Sequence, residues 1–186
     1  LKALCEKAAE TAMPGRATIV RPGFIVGPGD PTDRFTYWPL RVQRGGEILA
    51  PGTADDPIQI IDVRDLAAWM IHVAEENITG AFNACGPEKK LTMGEVLAGC
   101  EAACDKQKQA PDTKLTWVSA KFIQDSSDPI DLPIWVPSTG ENAGFHTWSN
   151  AKAVKSGLKF RLVQETAKDL LAWWPKEVER RERVGK

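Results

Sequence analysis

Hydrophobic residues near the amino end of the chain recur at helical spacing and then change to a strand pattern. The helical spacing covers residues 1–13, and the Pro-Gly pair at 14–15 ends it. The stretch 17–21 is rich in β-branched residues, and the apolar run 24–26 continues it after Pro22-Gly23. We therefore predict a helix and then a strand that is buried on both faces and leads into a loop of turn residues.

Helical and strand patterns alternate along the rest of the chain. Helices are predicted over 35–44, 64–76, 92–104, about 150–157 and 162–174, and short strands over 47–50, 58–61, 81–84 and 115–118. In the helix over 64–76, a buried face is expected from Leu66, Met70, Val73 and Ala74. Alternating strands and helices indicate an α/β fold, but the repeating units are too few for a whole doubly wound sheet. The sequence therefore predicts a part of a larger fold.

Charge and composition exclude several kinds of partner. The 186 residues include 24 Lys and Arg against 25 Asp and Glu, so the net charge of −1 creates no field that would attract nucleic acid or an anionic membrane. No apolar run approaches the roughly 20 residues that cross a bilayer. Residues 1–13 lack the pattern of a secretory signal, and the missing initiator Met suggests a processed or partial chain. We expect no nucleic-acid partner and no membrane partner.

The cysteines predict a reducing compartment and no metal centre. Cys5, Cys85, Cys100 and Cys104 are too few and too irregularly spaced for a disulfide scaffold, so a cytoplasmic location is expected. Cys100 and Cys104 could share a helix face, but no histidine lies near them in the sequence to complete a zinc site. Two partly buried thiols are the expected outcome.

The spacing of residues alone does not indicate any catalytic chemistry. The pair of glycines at 27 and 29 follows a predicted strand, but Thr32 stands where a dinucleotide-binding loop needs its third glycine. The sequence also contains no phosphate-binding Walker loop and no Gly-x-Ser-x-Gly motif.

Three ordered motifs carry a resemblance to a known family. They are Arg-Pro-Gly-Phe-Ile-Val-Gly-Pro-Gly at 21–29, Ile-Ile-Asp-Val-Arg-Asp-Leu-Ala at 60–67 and Gly-Ala-Phe-Asn-Ala-Cys-Gly at 80–86. Together they resemble the extended short-chain dehydrogenases/reductases, the NAD-dependent epimerase/dehydratase family. The resemblance covers 1–174 and corresponds to the carboxy-terminal half of a member. It implies a Rossmann-type α/β fold whose nucleotide-binding half is missing here.

The resemblance also implies a division of the chain. Residues 1–30 would be the last helix and strand of the nucleotide-binding domain, 31–174 the substrate-binding domain, and 175–186 a charged tail that can fray. The cofactor would be NAD or NADP. The sequence leaves the choice between them open, because the segment that reads the ribose lies in the missing half.

Lys2 stands where the lysine of the family's Tyr-x-x-x-Lys motif would fall, with the tyrosine ahead of Leu1. Its ammonium would lower the pKa of that tyrosine and hydrogen-bond the cofactor's ribose. The resemblance places Pro22, Gly23, Phe24 and Ile25 beside the nicotinamide. A solvent-exposed charge at position 2 and a simple Pro-Gly kink at 22–23 are the alternatives that remain open.

The resemblance assigns substrate contacts to two further segments. They comprise Arg34, Phe35 and Trp38, which begin a helix, and Asp62 and Arg64 at the start of another. For the aromatic residues, packing in the core is an equally simple explanation, and for Asp62 capping of the helix is preferred to substrate contact. Nucleotide-sugar members carry an arginine just before the strand that precedes position 62, whereas Ile58-Gln59 stand here, which disfavours a nucleotide-diphosphate sugar.

Three functions follow as hypotheses. The first is the substrate-binding portion of an NAD(P)-dependent epimerase, dehydratase or reductase that acts on a sugar-like or small carbonyl/hydroxyl substrate and is inactive as the isolated chain. The second is a non-catalytic binding or regulatory protein on the same scaffold, in RNA binding or redox sensing. The third is an assembly module, because the apolar face around 19–26 would favour pairing with another chain and a homodimer.

Overall fold

A computed structural model describes residues 1–104, 112–127, 130 and 132–185. Within these ranges the helices are α1 Lys2–Ala12, α2 Tyr37–Arg44, α3 Val63–Glu75, α4 Met93–Ala103, α5 Ala120–Gln124, α6 Ala151–Lys155 and α7 Val163–Arg183. The strands are β1 Thr18–Pro22, β2 Phe24–Val26, β3 Gly46–Pro51, β4 Pro57–Asp62, β5 Gly80–Ala84, β6 Gly86–Thr92 and β7 Thr113–Val118. Helices and strands alternate, which confirms the predicted α/β class.

The strands form three small sheets, and most of the pairing is parallel. β1 pairs with β5, and β3 pairs with β7, each in parallel. β4 lies between β2, its parallel neighbour, and β6, its antiparallel neighbour. The pairing of β4 with β6 is irregular between Ile58 and Ile60, where Gln59 has no partner in the register. Such a bulge turns a backbone group away from the strand pairing and makes it available to other partners.

The predicted first strand is divided in two. β1 and β2 are separated by Gly23 and belong to different sheets. A Cβ atom at position 23 would lie 3.1 Å from the Cβ of Cys85, so glycine permits this close approach of two backbones. The prediction of a strand buried on both faces is wrong for β1, whose residues are half-buried or exposed. The chain therefore crosses from one sheet to the next at Pro22-Gly23.

Two hydrophobic clusters hold the elements together. The large cluster lies mainly between α2, α4, α7 and the sheets of β2 to β4 and β7, and it includes Phe35, Trp38, Ile48, Met93, Leu97 and Leu170. The small cluster lies around α3, β5 and α6, and it consists of Ile61, Leu66, Trp69, Val73, Phe82, Ala84, Ala153 and Leu158. Burial of such side chains contributes roughly 1.5–3 kcal/mol each.

The buried face of α3 differs from the prediction. Leu66, Trp69 and Val73 are its buried residues. Met70 is instead 46% exposed, and Ala74 is exposed as well. Because α3 is apolar on two sides, periodicity predicts two possible buried faces, and the packing of Trp69 against Phe82 (centroids 5.5 Å apart) accompanies the one observed.

α7 is longer than the pattern predicts. The sequence predicts an end near Trp174, but the helix continues through Pro175 to Arg183. Arg180 and Arg181 both hydrogen-bond Glu177, and their guanidinium groups lower the pKa of that carboxyl to about 2. Arg181 also pairs with Asp33, with 2.5 Å between Nη1 and Oδ2. These contacts stabilise the charged last segment of the chain as a helix. The division of the chain into residues 1–30, 31–174 and 175–186 remains a prediction.

Two elements escape prediction entirely. β6 has three exposed charged residues at positions 88–90, and it pairs with β4 despite the polar sequence. α5 has only five residues and no buried side chain, so it carries no periodic signal. β6 forms through its pairing with β4, which is distant in sequence, and α5 begins at a local cap, where Ser119 accepts the Phe122 N–H. Neither element depends on an apolar pattern.

Candidate functional site

A cavity of about 500 Å³ opens at the point where the chain passes from β1 to β2. It is lined there by residues 21–24 and by Arg34 of the segment before α2. Gln59 of β4 and Asn83 and Cys85 at the end of β5 also border it, together with Phe145, His146 and Trp148. The two parallel pairs β1–β5 and β2–β4 bring these elements to one place, which is where ligands bind in many α/β folds.

Gln59 fastens the segment that carries His146 and Trp148. The side-chain amide of Gln59 donates from Nε2 to the Trp148 carbonyl (2.8 Å) and accepts at Oε1 from the Trp148 N–H (3.0 Å). The backbone N–H of Gln59, which the bulge in β4 releases, donates to His146 Nδ1 at 2.9 Å. One residue of β4 therefore fixes both aromatic residues at the cavity.

The hydrogen bond to Nδ1 also determines the tautomer of His146. An Nδ1 that accepts a hydrogen bond is unprotonated, so the proton of the neutral ring is on Nε2. Burial lowers the pKa of His146, against a smaller opposing effect from the backbone of Ile134, so the neutral ring predominates at neutral pH. His146 Nε2 is buried and makes no hydrogen bond of ordinary geometry within the described residues.

Aromatic rings form much of the cavity wall. Phe24 lies 5.7 Å from Phe145 and 5.9 Å from His146 between ring centroids. Phe145 meets His146 edge to face at 4.9 Å. Trp148 is 61% exposed although it borders the cavity, so a large apolar surface is available there.

The two arginines of the cavity differ in their partners. Arg21 donates from Nε to Glu6 of α1 at 2.9 Å, and its Nη2 lies 2.5 Å from the same carboxylate. Arg34 pairs with no carboxylate among the described residues. Its guanidinium lies 5.7 Å from the centre of the Phe24 ring, which is a cation–π distance. Arg34 therefore keeps its hydrogen-bonding capacity for a ligand.

Cys85 contributes a thiol of low reactivity. Its side chain is buried, and its Sγ lies 3.8 Å from the Trp148 carbonyl. Burial raises the pKa of the Cys85 thiol, which reduces the fraction of thiolate, the form that attacks electrophiles and reacts with oxidants. Cys100 and Cys104 are both buried in α4 and beyond its end, more deeply than the sequence predicts.

A second cavity of about 390 Å³ lies against the loop after β2. Residues 23–32, Arg34 and Val63 line it, so Phe24, Ile25 and Arg34 border this cavity while Phe24 and Arg34 also border the first. Gly27 in this loop has a φ of 113°, and a Cβ there would lie 3.1 Å from Asp62 Oδ2. The left-handed backbone and the close carboxylate both favour glycine at this position.

Several residues predicted as substrate contacts line neither of the two cavities described above, although Asp62 borders a third, smaller cavity of about 120 Å³. Phe35 and Trp38 are fully buried in the large cluster, and Trp38 Nε1 donates to the Pro133 carbonyl at 2.7 Å. Asp62 is buried and caps α3 by accepting the backbone N–H of Arg64. The Arg64 side chain bridges Asp62 and Asp169.

Asp62 is held in its charged form. Burial alone would raise the pKa of this carboxyl, but hydrogen bonds from Arg64 and from Thr166 (2.8 Å) outweigh it, so the pKa is lowered. Asp62 and Arg64 therefore stabilise the start of α3. Arg161 extends the network through its bonds to Asp65.

Lys2 occupies the exposed helix α1, which has no buried residue, and it lines none of the cavities described here. Predicted cofactor residues Pro22, Gly23 and Phe24 come together at the first cavity, and Arg34 joins them. Sequence reasoning missed Asn83, Cys85, Phe145, His146 and Trp148 as site residues and named Gln59 only for its departure from the family pattern. Asn83 and Cys85 lie within the third motif, which was a usable signal, whereas no motif marked residues 145–148.

Neither a metal centre nor a membrane span is found in the described ranges. No group of three or more His, Cys, Asp or Glu side chains within 1–104, 112–127, 130 and 132–185 could hold a metal ion. Among the same residues, no helix combines the length and the apolar character that crossing a membrane requires.

Comparison at the level of sequence finds no match. No protein-family model matches the chain, and no curated protein matches it. Comparison of structures, in contrast, finds many similar chains.

Three solved structures illustrate the structural likeness. RMD from Pseudomonas aeruginosa, complexed with NADPH, is 14% identical with a TM-score of 0.56, and the match covers 95% of this chain and 54% of that one. UDP-glucose 4-epimerase from Thermus thermophilus, with NAD, is 16% identical with a TM-score of 0.56 over 90% and 50%. UDP-glucuronic acid 4-epimerase from Bacillus cereus, with NAD, is 11% identical with a TM-score of 0.57 over 95% and 50%.

These likenesses concern the fold, since the identities are low. The chain spans about half the length of the solved structures it matches. The predicted resemblance is confirmed at the level of the fold: the chain is similar to about half of each of these solved structures, which contain NADPH or NAD.

Proposed function

We propose that this chain is the substrate-binding portion of an NAD(P)-dependent epimerase, dehydratase or reductase that acts on a sugar-like or small carbonyl/hydroxyl compound. The observation that carries the proposal is the cavity at the β1–β2 junction, where predicted cofactor residues and the unpaired Arg34 meet. The fold it shares with structures that contain NADPH or NAD supports the same conclusion.

The β1–β2 junction fits a flat ring. Pro22 and Gly23 border the cavity, and the absence of a side chain at position 23 lets backbone approach Cys85 closely. Pro22, Gly23, Phe24 and Ile25 would lie against the nicotinamide, which when bound supplies or accepts hydride at a carbon that carries oxygen. NAD and NADP are equally compatible with these residues.

The proposal includes a preceding nucleotide-binding half. Leu1, just before α1, and Leu4 within it are 97% and 69% exposed, and β1 pairs only with β5 among the described strands. An apolar helix face and an open strand edge are surfaces that another unit of structure would cover. That half would supply the phosphate-binding loop and the tyrosine, so the isolated chain is proposed to be inactive.

Lys2 has a role that depends on this half. Its ammonium would hold the ribose and favour the ionised form of the tyrosine that exchanges a proton with the substrate oxygen. Residues 1–30 would then belong to the nucleotide-binding domain, and residues 31–174 would form the substrate-binding domain. The intact protein is proposed to be a homodimer, which the exposed apolar residues support. It is also proposed to be cytoplasmic, because its few, irregularly spaced cysteines do not form a disulfide scaffold pattern.

NADPH and NADH titrations of the 186-residue chain and of the longer protein test the proposal. The isolated chain should show no tight saturable binding, whereas the longer protein should bind one of the two cofactors. In the longer protein, Lys2→Met should lower kcat by about 10²-fold, since a positioned acid or base contributes roughly 10²–10⁴.

Lys7→Met is the matched control, because Lys7 is another exposed lysine of α1. It should leave kcat unchanged. Tight cofactor binding by the isolated chain, or equal effects of the two substitutions, would contradict the proposal.

A further inference from the structure

We propose that the cavity at the β1–β2 junction takes a small carbonyl or hydroxyl substrate with a flat apolar body and one anionic group, such as an aromatic hydroxy or keto carboxylate, rather than a nucleotide-linked sugar. This inference rests on the proposed function, because it names the substrate class of the same cavity. It follows from three properties of the cavity. Its walls are aromatic, most of its polar side chains already make hydrogen bonds within the protein, and, within the described part of the chain, only one of its two arginines is paired with a carboxylate.

The walls of the cavity are formed largely by aromatic rings. Phe24 and Phe145 are tilted by 45° with their centroids 5.7 Å apart. Phe145 is 43% exposed and Trp148 is 61% exposed, so both keep apolar surface open to a ligand. Rings of this kind favour a flat apolar partner, which stacks on them without requiring hydrogen bonds.

Most of the polar side-chain groups that a sugar would need are already occupied, and among the described residues His146 Nε2, which has no partner, is buried. Both ends of the Gln59 amide bond the backbone of Trp148, and Asn83 Nδ2 donates to the Ser149 carbonyl at 3.0 Å. His146 Nδ1 is occupied by the N–H of Gln59. A sugar or nucleobase bound here would leave hydroxyl and amide groups without partners, which disfavours its binding.

The charge of the cavity suits a single anion. Glu6 neutralises Arg21, and no second carboxylate among the described residues neutralises Arg34. Arg34 presents a planar guanidinium that can bind a carboxylate with two hydrogen bonds. A diphosphate would bring two charged groups to a cavity that has one unpaired arginine.

The experiment compares three probes by isothermal titration calorimetry with the 186-residue chain and no cofactor. The probes are naphthalene-2-carboxylate, the uncharged 2-naphthamide of nearly the same shape, and UDP-glucose. We expect the carboxylate to bind at least 10-fold more tightly than the amide, and UDP-glucose to bind more weakly than either.

Three variants separate the contribution of the anionic group to the affinity from that of the aromatic body. Arg34→Gln should remove the advantage of the carboxylate and leave the affinity for the amide unchanged. Trp148→Ala should weaken both naphthalene probes by several-fold. Arg44→Gln, at an exposed arginine outside the cavity at the end of α2, should change neither.

Three outcomes would overturn the inference: UDP-glucose as the tightest probe, a carboxylate advantage that survives Arg34→Gln, or no binding of either naphthalene probe. Because cofactor is absent, none of these outcomes decides the proposed function. The cofactor titrations and the Lys2 and Lys7 variants decide that separately.

Discussion

The large and small hydrophobic clusters differ in how completely the described chain encloses them. Around the large cluster, α2, α4 and α7 pack on one another and on the sheets, and residues such as Trp38 and Leu170 are fully buried. Around the small cluster, α3 keeps an exposed apolar side, and α1, whose Glu6 pairs with Arg21 of β1, buries no residue. The large cluster can therefore support itself, while the region of the small cluster has surface left for a further partner.

Removal of a tryptophan should cost more inside the large cluster than at Trp148, which belongs to neither cluster. Trp38→Ala should lower the free energy of unfolding by about 3–5 kcal/mol, because it leaves a cavity in the large cluster and an unpaired Pro133 carbonyl. Trp148→Ala should cost less than about 1 kcal/mol, since most of that side chain is already in solvent. Urea unfolding of both variants measures the difference, and equal losses would contradict it.

A charged network joins the two clusters, and its loss should have the next largest effect. Asp62 caps α3 beside the small cluster and accepts a hydrogen bond from Thr166 of α7, which packs on the large one. Asp62→Ala should lower the free energy of unfolding by about 2–3 kcal/mol, because it removes the cap and the buried carboxylate that accepts from both Nε and Nη2 of Arg64. Asp169→Asn is the control, and it should cost about 0.5 kcal/mol because that residue is exposed.

The pH dependence of this effect has a definite sign. The pKa of Asp62 is lower in the folded chain than its ordinary value, so the folded state holds its proton less readily than the unfolded state does. The resulting stability is present above about pH 4 and disappears as the pH falls through the folded pKa. Unfolding curves at pH 7, 4 and 3 should therefore show the wild type and Asp62→Ala converging, and a constant difference would exclude this origin.

The sequence predicts the fold better than it predicts the site. Most helices were recognised because their apolar periodicity matches the burial that the structure has, as in α4 with its capping box. Motif positions 22–24 meet at a cavity because parallel strands bring motif ends together. His146 and Trp148 could not be predicted, since a bulge at Gln59, more than 80 residues away, fixes them. Met70 was misassigned because α3 is apolar on two sides.

That second apolar side of α3 gives the smallest predicted effect in the isolated chain. Met70 is 46% exposed and Ile71 is 60% exposed, so Met70→Gln with Ile71→Lys removes little burial. In the 186-residue chain the free energy of unfolding should change by no more than about 0.5 kcal/mol, and self-association should decrease.

The same double substitution should behave differently in the longer protein if a preceding half covers α3. Burying an introduced lysine and glutamine there would cost more than about 2 kcal/mol, because each loses water without gaining a partner. Phe122→Gln on α5, 55% exposed before substitution, should be neutral in both proteins. Because the substitutions are identical in the two contexts, an equal effect in both would mean that α3 faces solvent in each. The small cluster would then be incompletely enclosed in the longer protein as well as in the 186-residue chain.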